Sequence, residues 1–207
     1  LLLAAALNDP HLKFRGFFRT AIFLPCVTSL VAYSALFKAM FADAGVVNNA
    51  LMMLHLIDKP ILWIRDPFWA KVLVIAAITW RWTGYNMIFY LAAMQNIDRS
   101  IYEVARIDGV PAWARFFNIT VPMLKPVILF TSVTSTIGTL QLFDEVYNIT
   151  EGGPANATMT LSLYIYNLTF KFMPSFGYAS TVSYVIVVGV AILSFIQFFI
   201  ARDRKAT

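Results

Sequence analysis

Long apolar runs alternate with short polar ones along the 207-residue chain. A helix needs about 20 mostly apolar residues to cross the hydrocarbon of a bilayer. Residues 21–41, 71–97, 127–149 and 178–201 meet that length. Residues 1–7 enter mid-pattern and read as the end of a further span whose beginning lies outside this chain; no basic segment precedes them, as a signal peptide requires. The pattern predicts an all-α, polytopic transmembrane helix bundle over residues 1–207. Pro25 falls in the first turns of the 21–41 span, where a missing N–H costs least. Between 42 and 66 the apolar piece 46–57 is too short to cross and reads as an interfacial helix, with Trp63 and Trp69 as headgroup-level anchors.

Residues 98–123 break the apolar pattern without the composition of a loop. Ser100 and Glu103 have capping-box spacing, so a helix is expected over 101–108. Gly109 can take the left-handed conformation that ends helices, and Pro111 suits the start of a second helix over 112–119. Two short helices hinged at a glycine are therefore expected. Neither is long enough to be stable alone, and Ile101, Ala105, Trp113, Phe116 and Phe117 give them an apolar face. That face can rest on the bilayer or on the bundle itself. Alternatively it plugs a groove on a partner, with Ala105 allowing close approach and Glu103 meeting a basic residue.

Composition supports a membrane protein: 59% of residues are hydrophobic and only 13% charged. The net charge of +5 then reflects basic cytoplasmic loops rather than nucleic-acid binding. Lys13, Arg15, Arg19, Arg99, Arg106, Arg115, Lys125, Arg202, Arg204 and Lys205 fall on one side of the alternating spans. Lys59, Arg65 and Lys171 fall on the other, so the 98–123 loop and the C-terminus are expected to face the cytoplasm. The single Cys26 permits no internal disulfide, and His11 and His55 lack partners at metal-ligand spacing.

A bundle that moves a polar solute needs polar side chains at depth. Thr83, Tyr85 and Asn86 stand in the 71–97 span, and Ser135 and Thr139 in the 127–149 span, with Leu142 on the same predicted helical face. Hydroxyls and amides beside an aromatic ring suit a sugar, although small polar residues also serve tight helix packing. Arg81 is the embedded charge of its span and is either functional or paired within the bundle.

Glu103-Val104-Ala105, Asp108-Gly109 and Ile119-Thr120-Val121-Pro122 together resemble the signature loop of membrane subunits of ATP-binding-cassette importers. There, Glu-Ala-Ala is followed by three residues, Gly, nine residues and Ile-x-Leu-Pro; Val104 and Val121 depart from it conservatively. The run Phe143-Asp144-Glu145-Val146-Tyr147, with Gly152-Gly153-Pro154 and Thr158, is similar to the carbohydrate-uptake, maltose-type branch. The resemblance implies a prokaryotic inner-membrane subunit built on a six-helix core. It implies a second permease subunit, two ATPase subunits that hydrolyse the ATP, an extracytoplasmic solute-binding protein and a sugar substrate. It makes Glu103, Val104, Ala105, Asp108 and Gly109 the ATPase-coupling residues, and Tyr85, Ser135, Thr139 and Leu142 sugar contacts. The chain has no Gly-x-x-x-x-Gly-Lys-Ser/Thr phosphate loop, so neither enzyme activity nor a cofactor of its own is expected. A secondary transporter or channel is the alternative, with Asp144 and Glu145 as its candidate carboxylates. A polyol, glycerol phosphate or another polar solute could replace the sugar.

Overall fold

A computed structural model describes residues 1–9, 12–171 and 174–201, so the basic tail at Arg202, Arg204 and Lys205 lies outside the described residues. Among these residues the fold is all-helical. The first helices are α1 (Leu2–Asn8), α2 (Arg15–Val27), α3 (Leu30–Met40), α4 (Val46–Met53) and α5 (Pro67–Gln95). The signature-loop region holds α6 (Arg99–Ile107), α7 (Ala112–Arg115), a π-helical turn (Phe116–Thr120) and α8 (Val121–Met123). Then come α9 (Lys125–Leu140), α10 (Asp144–Ile149), α11 (Leu161–Tyr166), a second π-helical turn (Asn167–Lys171) and α12 (Phe176–Ala201).

By length and composition α12 can cross a membrane alone. The pairs α2 with α3, and residues 112–123 with α9, qualify only when each broken pair is taken as one span. The 21–41 stretch is therefore not a single helix. Its helix starts early, at Arg15, which leaves Pro25 in the last turn of α2 rather than the first turns of a span. Pro25 lacks an N–H and crowds the carbonyl of residue 21, and the helix ends two residues later, at Val27. The 127–149 stretch is likewise interrupted: α9 stops at Leu140, and α10 starts at Asp144 after Phe143 adopts φ −134° and ψ −59°.

The chain forms two compact units. One comprises Leu1–Cys26, Trp82–Thr136 and the residues from Leu193 onward. Its core packs Ala4 and Leu7 against Met87, Leu91, Met94, Ile97 and Leu124. Gly84 lets two helices of this unit approach closely: a Cβ there would overlap the Ile22 carbonyl oxygen and lie 3.1 Å from Cys26 Sγ. Arg19 Nη2 also donates to the Leu7 carbonyl at 2.6 Å, tying α2 to α1.

The other unit comprises Val27–Arg81 and Ile137–Ile192. Tyr33, Phe37, Trp63, Leu73, Ala77 and Ile149 form one of its apolar clusters. Trp63 is buried there and donates its Nε1–H to Asn48 Oδ1 at 2.9 Å, so it is a core residue and not a headgroup-level anchor. Asn48, fully buried, also accepts from Ile61 N at 3.1 Å and donates to the carbonyls of Ile61 at 2.9 Å and Asp43 at 3.1 Å. One amide side chain thus holds the connection between α3 and α5 in place. The apolar piece expected over 46–57 is helical only as α4.

Candidate functional site

The helix pair expected in the 98–123 loop is present, and its hinge is built by backbone hydrogen bonds. Gly109 has φ +72°, a conformation costly for any residue with a Cβ. Val110 N bonds Ala105 O at 2.9 Å, and Gly109 N bonds Arg106 O at 3.0 Å. This crossed pair is the Schellman motif, which satisfies carbonyls that the end of α6 would otherwise leave bare. The start of α6 differs from expectation: Asp98, not Ser100 with Glu103, caps it, its carboxylate accepting from Ser100 N at 2.9 Å. That hydrogen bond from the Ser100 backbone holds the Asp98 carboxyl below its ordinary value. Tyr102 and Thr120, joined hydroxyl to hydroxyl at 2.8 Å, tie α6 to the first π-helical turn.

The loop sorts its residues onto two faces. Ala105 is buried, so its side chain packs inward. Glu103, Val104, Asp108 and Gly109 are exposed. In the same loop Ile107 is 85% exposed, Trp113 68% and Phe117 59%, so three large apolar side chains are left uncovered. Exposed rings and aliphatic groups beside a carboxylate form a surface suited to docking in a groove.

The polar residues expected along a path are partly paired with one another. Asn86 Nδ2 donates to Ser135 Oγ at 3.0 Å, linking α5 to α9. One turn further, Tyr90 and Thr131 are 2.6 Å apart at their hydroxyls; Thr131 passes its own hydrogen to the Val127 carbonyl at 2.9 Å, so Tyr90 donates. Sequence reasoning missed Gln197, whose Nε2 donates to Thr136 Oγ1 at 2.7 Å from α12; a lone amide in an apolar span was the available signal. Tyr85 packs edge-on against Trp82, with ring centroids 5.4 Å apart, and tilts onto Phe89 at 4.9 Å.

Thr139 and Leu142 fall in the other unit. Thr139 is exposed. Leu142 lies beyond the end of α9, so helical spacing does not place it on a face with Ser135. It is instead buried with Val74, Val146 and Leu163. In the same unit Arg81 pairs with Glu145. Among the described residues no group of His, Cys, Asp and Glu side chains could hold a metal.

The pattern of the family described as "Binding-protein-dependent transport system inner membrane component" matches residues 2–205. The chain belongs to this family. Among the inner-membrane components it resembles, the lactose transport system permease protein LacF of Rhizobium radiobacter is 74% identical over 99% of this chain and 70% of its own length. The arabinooligosaccharides transport system permease protein AraP of Halalkalibacterium halodurans is 33% identical over 99% of this chain and 65% of its own length. The chain thus spans about two thirds of such relatives. A crystal structure of a bacterial ABC transporter involved in import of the acidic polysaccharide alginate superposes with TM-score 0.86 at 26% identity, covering 100% of this chain and 72% of that one. A second, of the alginate transporter in complex with an alginate pentasaccharide-bound periplasmic protein, superposes with TM-score 0.77 over 97% of this chain and 68% of that one. The inner-membrane fold expected from the signature loop is thus the fold of this family.

Proposed function

We infer that this chain is the transmembrane subunit of an ATP-driven importer and forms part of the path for a sugar or related polar solute. An extracytoplasmic binding protein delivers the solute. The observation that carries the reading is the 98–123 loop, with Glu103 and the large apolar side chains Ile107, Trp113 and Phe117 exposed and a glycine hinge fixed by crossed hydrogen bonds. Such a loop transmits motion as a unit when a partner grips it. The partners are two ATPase subunits, with Glu103 meeting a basic residue of one, and a second permease subunit completes the path. Basic residues on the loop's side of the spans support a cytoplasmic loop and C-terminus. The subunit itself is a conduit, neither an enzyme nor the holder of a cofactor. Sugar-transport relatives support a saccharide over other polar solutes. The gradient-driven alternative loses support because Glu145 is committed to an ion pair with Arg81.

Co-purification from membranes of cells expressing the whole system tests this reading. An ATPase should accompany the wild-type chain and be depleted by Glu103→Ala together with Trp113→Ala. Uptake that follows an ion gradient, with no ATPase ever retained, would sink it.

A further inference from the structure

Four rings in one unit form a continuous row that no role above absorbs. Phe143 and Tyr147, one helical turn apart at the start of α10, stack with centroids 5.2 Å apart and planes inclined by 14°. Tyr166, at the end of α11, packs on both, at 5.3 Å from Phe143 and 5.2 Å from Tyr147. Phe170, in the following π-helical turn, continues the row 5.3 Å from Tyr166. Phe143 and Tyr166 are half-buried, whereas Tyr147 is 37% and Phe170 74% exposed. The inner rings therefore fix the outer ones, and Phe170 presents most of its ring freely.

The polar groups around the row decide what it can hold. The Asp144 and Glu151 side chains are exposed and flank Tyr147 along the chain, three residues before it and four after. The exposed charges of these two segments are Asp144 and Glu151 against Lys171, two acidic residues to one basic. A surface meant only for lipid tails has no use for two carboxylates. A sugar uses both features: its C–H face lies on a ring, and its hydroxyls donate charge-assisted hydrogen bonds to carboxylates.

We propose that the Tyr147–Phe170 aromatic row, with Asp144 and Glu151, is a binding subsite for a neutral saccharide. It shares no residue with the Asn86 and Ser135 pair, and it rests on the sugar-importer reading above. The excess of negative charge disfavours acidic saccharides.

Saturation-transfer NMR on the assembled importer in nanodiscs, without its binding protein and with lactose as probe, tests the proposal. Saturating aromatic protons should transfer signal to lactose ring protons. Tyr147→Leu and Phe170→Leu keep apolar bulk but remove the flat face, and each should lose more than half of that signal. Tyr147→Trp should keep it. A lipid-facing or subunit-facing patch is indifferent to leucine, so unchanged transfer in both leucine variants overturns the proposal, as does absence of transfer in the wild type. Alginate oligosaccharide should give weaker transfer than lactose, and equal transfer overturns the neutral preference. Saccharide uptake by vesicles holding the full importer and binding protein separates the two readings. Uptake with unchanged transfer removes the subsite alone; failure to take up any saccharide removes the importer reading and the subsite with it.

Discussion

Arg81 Nε lies 2.8 Å from Glu145 Oε1, and this ion pair joins α5 to the first turn of α10. The two ends differ in burial: the Glu145 side chain is 2% exposed and that of Arg81 26%. A buried pair is weak as a net stabiliser, because both charges lose water, yet removing one partner strands the other at a cost of about 3–5 kcal/mol. The asymmetry predicts the order of damage. Arg81→Leu, which leaves the more deeply buried carboxylate facing apolar surroundings, should lower the unfolding temperature in detergent more than Glu145→Leu. The guanidinium of the latter can turn its long stem toward solvent. The double leucine variant should fall short of the sum of the two. Additive losses in that double-mutant cycle would show that the pair is not coupled.

Asn48 is the second place where one side chain carries a whole connection. Replacing it with alanine leaves the buried Trp63 Nε1–H and the Ile61 N–H and carbonyl without partners. Each stranded group costs about 1–3 kcal/mol, so Asn48→Ala should destabilise by about 3 kcal/mol or more. Asn48→Asp should be nearly as harmful, because a carboxylate can still accept from Trp63 but meets the Asp43 and Ile61 carbonyls without a hydrogen. Limited proteolysis of the 42–66 connection is the readout. If Asn48→Asp resists protease as the wild type does, donation by Nδ2 is unimportant.

Glycines in long helices separate packing from propensity. At Gly84 a Cβ would strike the Ile22 backbone, which cannot move aside as a side chain would, whereas nothing lies within 4 Å of a Cβ at Gly189. Gly84→Ala should push α2 and α5 apart and lower thermal stability. Gly189→Ala should be neutral or stabilising by up to about 1 kcal/mol, the intrinsic helix preference of alanine. Side-by-side melting of the two variants decides it, and equal shifts would contradict the close approach.

These contacts also explain what could be read in advance. The signature loop was legible because its signals are local: a left-handed glycine between two short helices follows from neighbouring residues alone, and Gly109 has that geometry. The cap is less legible because Asp98 and Ser100 are both N-cap residue types two positions apart, and only three-dimensional placement shows the helix starting at Arg99 with Asp98 as its cap. Trp63 resembled an interface anchor until Asn48 claimed its N–H from fifteen residues away. Helical counting places Leu142 on one face with Ser135, but α9 ends at Leu140. Periodicity cannot register a helix break that carries no proline or glycine. Arg81 stood out as an embedded charge, while its partner Glu145 lies 64 positions along the chain, beyond any local pattern.

Gly109 offers the sharpest test of the role proposed for the 98–123 loop, because space and conformation act separately there. Nothing lies within 4 Å of a Cβ built on it, so substitution meets no steric obstacle from neighbours, yet φ is +72°. A residue with a Cβ pays about 1–2 kcal/mol for that left-handed backbone, and asparagine tolerates it better than alanine or a β-branched residue. Gly109→Asn should therefore retain ATPase association and ATP-driven uptake close to the wild type, Gly109→Ala should weaken both, and Gly109→Val should weaken them most. The crossed hydrogen bonds from Val110 to Ala105 and from Gly109 to Arg106 depend on the same conformation. Hydrogen exchange at the Gly109 and Val110 amides should accordingly quicken in the same order. If uptake falls in that order while exchange stays constant, the loss arises at the partner surface, and the hinge is not what the glycine supplies.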